Sequence, residues 1–219
     1  MKWPVLLMTG LGCVFGTLLR ADETKKFSYV DLQPKANQQL TDNVGSGIQG
    51  NNLANLPKGE QTLEEVKFRI ADGFLQLGSQ RLKEPKPDRV DGIVIGKAFA
   101  KLHLLHATVF GAGATVVADD TEIAKYEVHY QGGDTETITV VYGKDVRDFW
   151  DWREERGITR GKVAWTGENE AVKGQRQIRL YLGTWENPHP TKKVVSIDYV
   201  KVGDTIAAPF CVAMTLEEK

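Results

Sequence analysis

QIRLYLGTWENPHPTKKVVSIDYV, residues Gln177–Val200, reads as two β-strands separated by a segment that can continue neither. In its first half Ile178, Leu180 and Leu182 fall on one face and Arg179, Tyr181 and Trp185 on the other, the period-two signature of a pleated strand. Asn187-Pro188-His189-Pro190 then carries two prolines, whose fixed φ and missing N–H groups forbid a ladder and make an ordered turn. Alternation resumes at Val194, with Val195, Ile197 and Tyr199 against Ser196 and Asp198. This stretch predicts a strand pair, and the chain before it supplies further strands to pack on that pair.

Upstream, Phe27 to Asp31 is a short strand candidate, followed by Gln33 to Pro57, which is rich in Asn, Gln and Gly and has little periodicity. So long a stretch without elements is unusual inside a compact domain and reads as a loop or arm lying over the fold. Val66-Lys67-Phe68-Arg69-Ile70 alternates cleanly, Ala71-Asp72-Gly73 makes a turn, and Phe74 to Leu77 is expected to return as the second strand of a hairpin. Lys83 to Asp88 is a proline-charged surface connector. Asp91 to Lys97 and Lys101 to Phe110 are the next strands, the second apolar on both faces and therefore central. Tyr126, Val128 and Tyr130, the Gln131-Gly132-Gly133-Asp134 turn, and Ile138, Val140 and Tyr142 form the clearest hairpin.

Asp145 to Arg160 mixes charges and aromatics without a period of two and reads as a loop with one helical turn around Val146, Phe149, Trp150 and Arg153. Lys162 to Trp165 resumes a strand, in which Trp165 is expected in the core, and Pro209 to Met214 closes the chain with an apolar one. Many short strands with turn signals and no amphipathic helix of ten or more residues predict an all-β fold, an antiparallel β-sandwich of jelly-roll type.

The first residues carry an address. Met1-Lys2 is a short basic start, Trp3 to Leu19 is apolar with small residues, and Leu19-Arg20-Ala21 precedes the acidic Asp22-Glu23, the order of a secretory signal peptide cleaved after Ala21. Pro4, Gly10, Gly12 and Gly16 interrupt the run, which is at the short end of what a membrane span needs. The expected organisation is a signal peptide at 1–21, an N-terminal arm at 22–65 and a sandwich domain at 66–219, with the protein secreted or periplasmic and no membrane span after cleavage. Removing residues 1–21 from the chain of 219 leaves 198, with 26 Lys and Arg against 29 Asp and Glu, so no basic stripe favours nucleic acid. Cys211 is then the sole cysteine; no intramolecular disulfide can form, and the thiol sits in an apolar run as a small hydrophobe.

Taken in order, Leu102 to Ala107, Tyr126-Glu127-Val128-His129-Tyr130 with its glycine turn, Tyr142-Gly143, Asp148-Phe149-Trp150, Ala164-Trp165 and Thr184-Trp185-Glu186-Asn187-Pro188-His189-Pro190 leading into Val195-Ser196-Ile197-Asp198 resemble a galactose-binding-like jelly roll, the fold of many carbohydrate-binding modules of secreted bacterial proteins. The resemblance covers Val66 to Leu216 and rests on strand and turn positions. It implies an exported, non-catalytic module that binds carbohydrate through loop residues, and it supplies no ligand motif. The alternatives are a structural or protein-interaction domain of the cell envelope and a small glycan-active hydrolase.

The candidate ligand-binding residues are Trp150, Trp152, Arg153, Asp148 and Asp151, with Glu154 beside them. A sugar ring offers an apolar face that stacks on an indole and hydroxyls that need planar polar partners, so tryptophan among Asp and Arg is suitable chemistry. The competing reading is that a tryptophan caps the open end of the sandwich. Trp185, at a strand end beside prolines, reads as packing. Asp148, Asp151, Glu154, Glu168 and Glu170 could each be nominated for a glycosidase pair, so none stands out, and no catalytic residue is assigned. His103 and His106, three apart in a strand, point to opposite faces, and His129 and His189 lack a spaced partner, which leaves no histidine metal site. No cofactor is called for. A structural calcium on Asp119-Asp120 or Asp134 is the one cation the loops suit, although no loop matches a defined calcium motif.

Overall fold

The computed structural model describes residues 25–45, 47–113, 116–153 and 156–218. The expected signal peptide lies outside them, as does Glu154. Thirteen strands and one three-residue 3-10 turn, Gln33–Lys35, make up the regular structure of the described residues. None of their helices is long and apolar enough to cross a membrane. The strands are β1 (Phe27–Tyr29), β2 (Gln38–Gln39), β3 (Gly59–Leu63), β4 (Val66–Ile70), β5 (Gly73–Gln76), β6 (Arg89–Lys97) and β7 (Lys101–Val109), followed by β8 (Glu122–Tyr130), β9 (Thr135–Val141), β10 (Lys162–Gly167), β11 (Ile178–Glu186), β12 (Val194–Lys201) and β13 (Ala208–Glu217).

They form an antiparallel β-sandwich. One seven-stranded sheet runs β10-β11-β7-β13-β5-β2 with β1 added to β13, and a four-stranded sheet runs β6-β12-β8-β9. From β5 onward the chain alternates between them, crossing at β5–β6, β6–β7, β7–β8, β9–β10, β11–β12 and β12–β13. Between the sheets Tyr126 and Tyr199 stack with centroids 4.5 Å apart, facing Leu102, Leu104, His106, Cys211 and Met214, all buried. Burying a side chain of this size contributes roughly 1.5–3 kcal/mol, which is how a fold with no disulfide among its described residues is held. A third layer, the β3–β4 hairpin, lies on the opposite face of the large sheet: Val66, Phe68 and Ile70 are buried, and Thr215 Oγ1 donates to the Lys67 carbonyl at 2.8 Å.

β7 is central, between β11 and β13, and β8–β9 is the expected hairpin. Four expectations about the strands need correction. β11 and β12 are not hydrogen-bonded to each other; the Pro188–Pro190 turn carries the chain from one sheet across to the other. β4 pairs with β3 and not with β5, which lies in the large sheet beside β13 and β2. The β3–β4 turn is made by Glu64 and Glu65, at φ 48° and 64°, so the chain uses left-handed backbone where no glycine or asparagine marks it. Val195 is exposed because a register shift between Val194 and Ser196 moves it out of phase and puts Val194 in the core. Trp165, expected in the core, is only partly buried on edge strand β10.

The arm is built into the fold. β1 and β2 extend the large sheet, β3 belongs to the hairpin, and Leu40, Val44, Leu53 and Leu56 are buried. Asp145 to Arg160 contains no helical turn among its described residues; instead single bridges, Thr108 to Asp148 and Trp150 to Ile178, pin it along the end of the sandwich.

Candidate functional site

The loop after β9 is organised around the Asp148 carboxylate, which accepts from the backbone N–H groups of Gly111 (2.7 Å), Trp150 (2.9 Å) and Ala112 (3.3 Å). It is buried, and burial pushes its pKa up to about 6 against those donors. The Trp152 indole N–H comes close to the same carboxylate without completing a hydrogen bond. Asp148 is thus a fastener of the loop, with its oxygens already committed.

Trp150 and Trp152 are both half-buried, with centroids 6.0 Å apart at 34°. Trp150 donates through Nε1 to Asn51 Oδ1 at 2.8 Å, so the arm anchors it. Trp152 rests its six-membered ring edge on Gly113, where a Cβ would lie 2.9 Å from Cζ2, and takes the Arg176 guanidinium over its ring at 4.2 Å. Asp151 pairs with Arg179 at 3.0 Å, and exposed Arg153 donates to the Gln175 carbonyl at 3.2 Å. Trp152, Asp151, Arg153, Gln175 and Arg176 together line an open depression of about 440 Å³. The structure therefore gathers Trp152, Arg153 and Asp151 around one concavity, places Trp150 behind them and Asp148 beneath. Gln175 and Arg176, from the turn before β11, complete the rim. Reasoning from the sequence missed those two because they lie in a polar turn with no pattern of their own.

The loop carboxylates considered for calcium are engaged by cationic side chains. Asp119 accepts both Arg147 terminal nitrogens at 2.8 and 2.9 Å, a hydrogen bond that holds its carboxyl below the usual range, while Asp120 meets Lys144 and Asp134 meets Lys192, each at 2.7 Å. His129 does have partners: its Nε2 lies 2.8 Å from Asp198 Oδ2, and Glu127 is beside it on the same face of β8. The Arg89 guanidinium bridges Glu127 and Asp198. Burial pushes Asp198 up, but the Gly92 N–H, His129 and Arg89 outweigh it and keep the carboxyl below its ordinary value. This is a salt-bridged network with its own cation in place.

His103 and His106 do face opposite ways. His103 lies 2.9 Å from Thr184 Oγ1 and edge-on to Phe27, whereas His106 points between the sheets toward Tyr126. Cys211 is fully buried, which pushes its thiol pKa up to about 12 and keeps it from acting as a nucleophile at neutral pH. Compared with protein-family models, curated proteins and solved structures, the chain matches none.

Proposed function

We propose that the protein is an exported, non-catalytic carbohydrate-binding module whose ligand sits in the depression at the sandwich end. The observation that supports this reading is a half-buried indole, Trp152, at the base of an open concavity rimmed by Asp151, Arg153, Gln175 and Arg176. An apolar ring face beside planar, charged hydrogen-bonding groups suits a pyranose, which is apolar across its C–H face and polar around its edge. Arg176 covers the indole at 4.2 Å, so a sugar that stacks there displaces the guanidinium, whose five donors then reach ring hydroxyls from the side. Trp150 and Asp148 set the platform's position without touching ligand. The address at residues 1–21 supports export. A glycan array probed with the protein, in parallel with Trp152→Ala, tests the reading: glycan binding lost in the variant is expected, and an array blank for the unaltered protein overturns it.

A further inference from the structure

A second concavity opens between the two sheets, on the side where β9 ends the smaller one. Leu104 and His106 of β7, Gly183 and Trp185 of β11, Thr137 to Val140 of β9, and the pair Asp145–Arg160 line a cleft of about 290 Å³. His106 is 2 % exposed, and its Nε2 has no hydrogen-bond partner. A buried polar atom left unpaired is destabilising, so a nitrogen bordering a cleft in that condition needs an explanation.

From these features we infer that the inter-sheet cleft is a binding site for one neutral, polyhydroxylated ring of pyranose size, whose hydroxyl completes the His106 Nε2 hydrogen bond. The inference is independent of the platform at Trp152. Charge excludes the ionic alternatives. The Arg160 guanidinium is already neutralised by Asp145, which it grips with two nitrogens, and Arg160 also donates to the Thr139 carbonyl at 3.1 Å. Neither an anion nor a cation therefore finds an uncompensated partner in the cleft. Burial lowers the imidazole pKa to about 4, so the ring is neutral at physiological pH. A hydroxyl can donate and accept, and so satisfies Nε2 in either tautomer. Leu104, Ile138, Val140 and Trp185 supply apolar wall for the C–H face of a ring, and edge strand β9 leaves the cleft open along its side. Size sets the remaining limit. The volume is roughly ten times the ~30 Å³ share of one water, yet at the low end of small-molecule pockets, so a single ring enters and an oligosaccharide does not.

Long-range proton–nitrogen NMR of the histidine rings, recorded at neutral pH while glucose, galactose or mannose is titrated, reads this site directly. The Trp152 indole N–H resonance in the same spectra reports the end platform separately. At least one hexose is expected to shift the His106 Nε2 resonance saturably, and Ile138→Trp, which adds bulk on the cleft-facing side of edge strand β9, is expected to abolish that shift in a protein that still melts cooperatively. Failure of all three hexoses to move His106 overturns the inference. So does a shift that survives in Ile138→Trp. A response at Trp152 alone overturns the cleft and leaves the platform standing; a response at His106 alone supports the cleft and leaves the platform to the glycan array.

Discussion

The imidazole of His106 occupies the space that a side chain at Gly183 would need: a Cβ there would lie 2.9 Å from Nε2. The two residues belong to neighbouring strands, with Gly183 opposite Leu104 and His106 opposite Tyr181. Gly183→Ala should therefore force a buried ring off its position and cost about 1–3 kcal/mol, the usual penalty of overpacking. Chemical denaturation of both proteins checks this, and an unchanged midpoint would show that the ring moves freely.

Acid should expose the same histidine. Folding lowers the His106 pKa from 6.5 to about 4, so below pH 6.5 the unfolded chain binds more protons and stability falls until the folded pKa is passed. Asp148 acts in the opposite sense: folding raises its pKa from 3.8 to about 6, so its contribution is full below 3.8 and is lost as pH rises through 6. Each effect is on the order of 3 kcal/mol. Melting curves between pH 7 and 4 should show His106→Gln losing less stability on acidification than the parent, and Asp148→Asn losing more.

Trp152→Ala should cost clearly less stability than Phe149→Ala. Phe149 is fully buried against Phe210, with ring centroids 5.7 Å apart, and its truncation should cost about 3–5 kcal/mol. Trp152 is half-open, so thermal melts should order the two variants accordingly. Equal losses would mark Trp152 as a cap on the sandwich. Trp165 is a poor standard for this comparison because it sits on an edge strand.

Native Cys211 should resist thiol reagents and react only on unfolding, because the thiol is buried and its pKa is raised. Peptide mapping after labelling, with and without denaturant, checks this residue individually.

Glu65→Gly should raise stability by about 1 kcal/mol, since φ 64° strains any residue with a Cβ and glycine relieves it. A lower midpoint would mean that the glutamate side chain contributes something the backbone angle does not show.

Why some of this could be read from the chain and some could not follows from range. Alternation and proline punctuation are local, so β7, the β8–β9 hairpin and the strands flanking Pro188 and Pro190 could be placed without coordinates. Pairing is not local. Gly73 looked like a hairpin turn, whereas two glutamates make the real one, and nothing near Val66 announces that its partner lies upstream. A one-residue bulge was enough to turn Val195 outward. At the candidate platform the aromatic and acidic residues could be nominated from the chain, but which of them face solvent depends on Gly111, Asn51 and Arg176, brought in from three other segments. That His106 faces opposite to His103 was legible; which of them points between the sheets was not. That the His106 nitrogen borders a cleft depends on Gly183, on an adjacent strand and far along the chain.

β13 pairs with β7 on one side, β5 on the other, and with β1. Until residues 208–217 have left the ribosome, β10-β11-β7 and β5-β2 are two fragments of a sheet, each with an edge of unpaired backbone N–H and C=O groups awaiting the same strand. The large sheet therefore cannot be completed before that strand is available. A nascent chain halted before Ala208 should be held open, sticky and protease-sensitive, and the step that closes the sheet is the docking of a single late strand between two edges made much earlier.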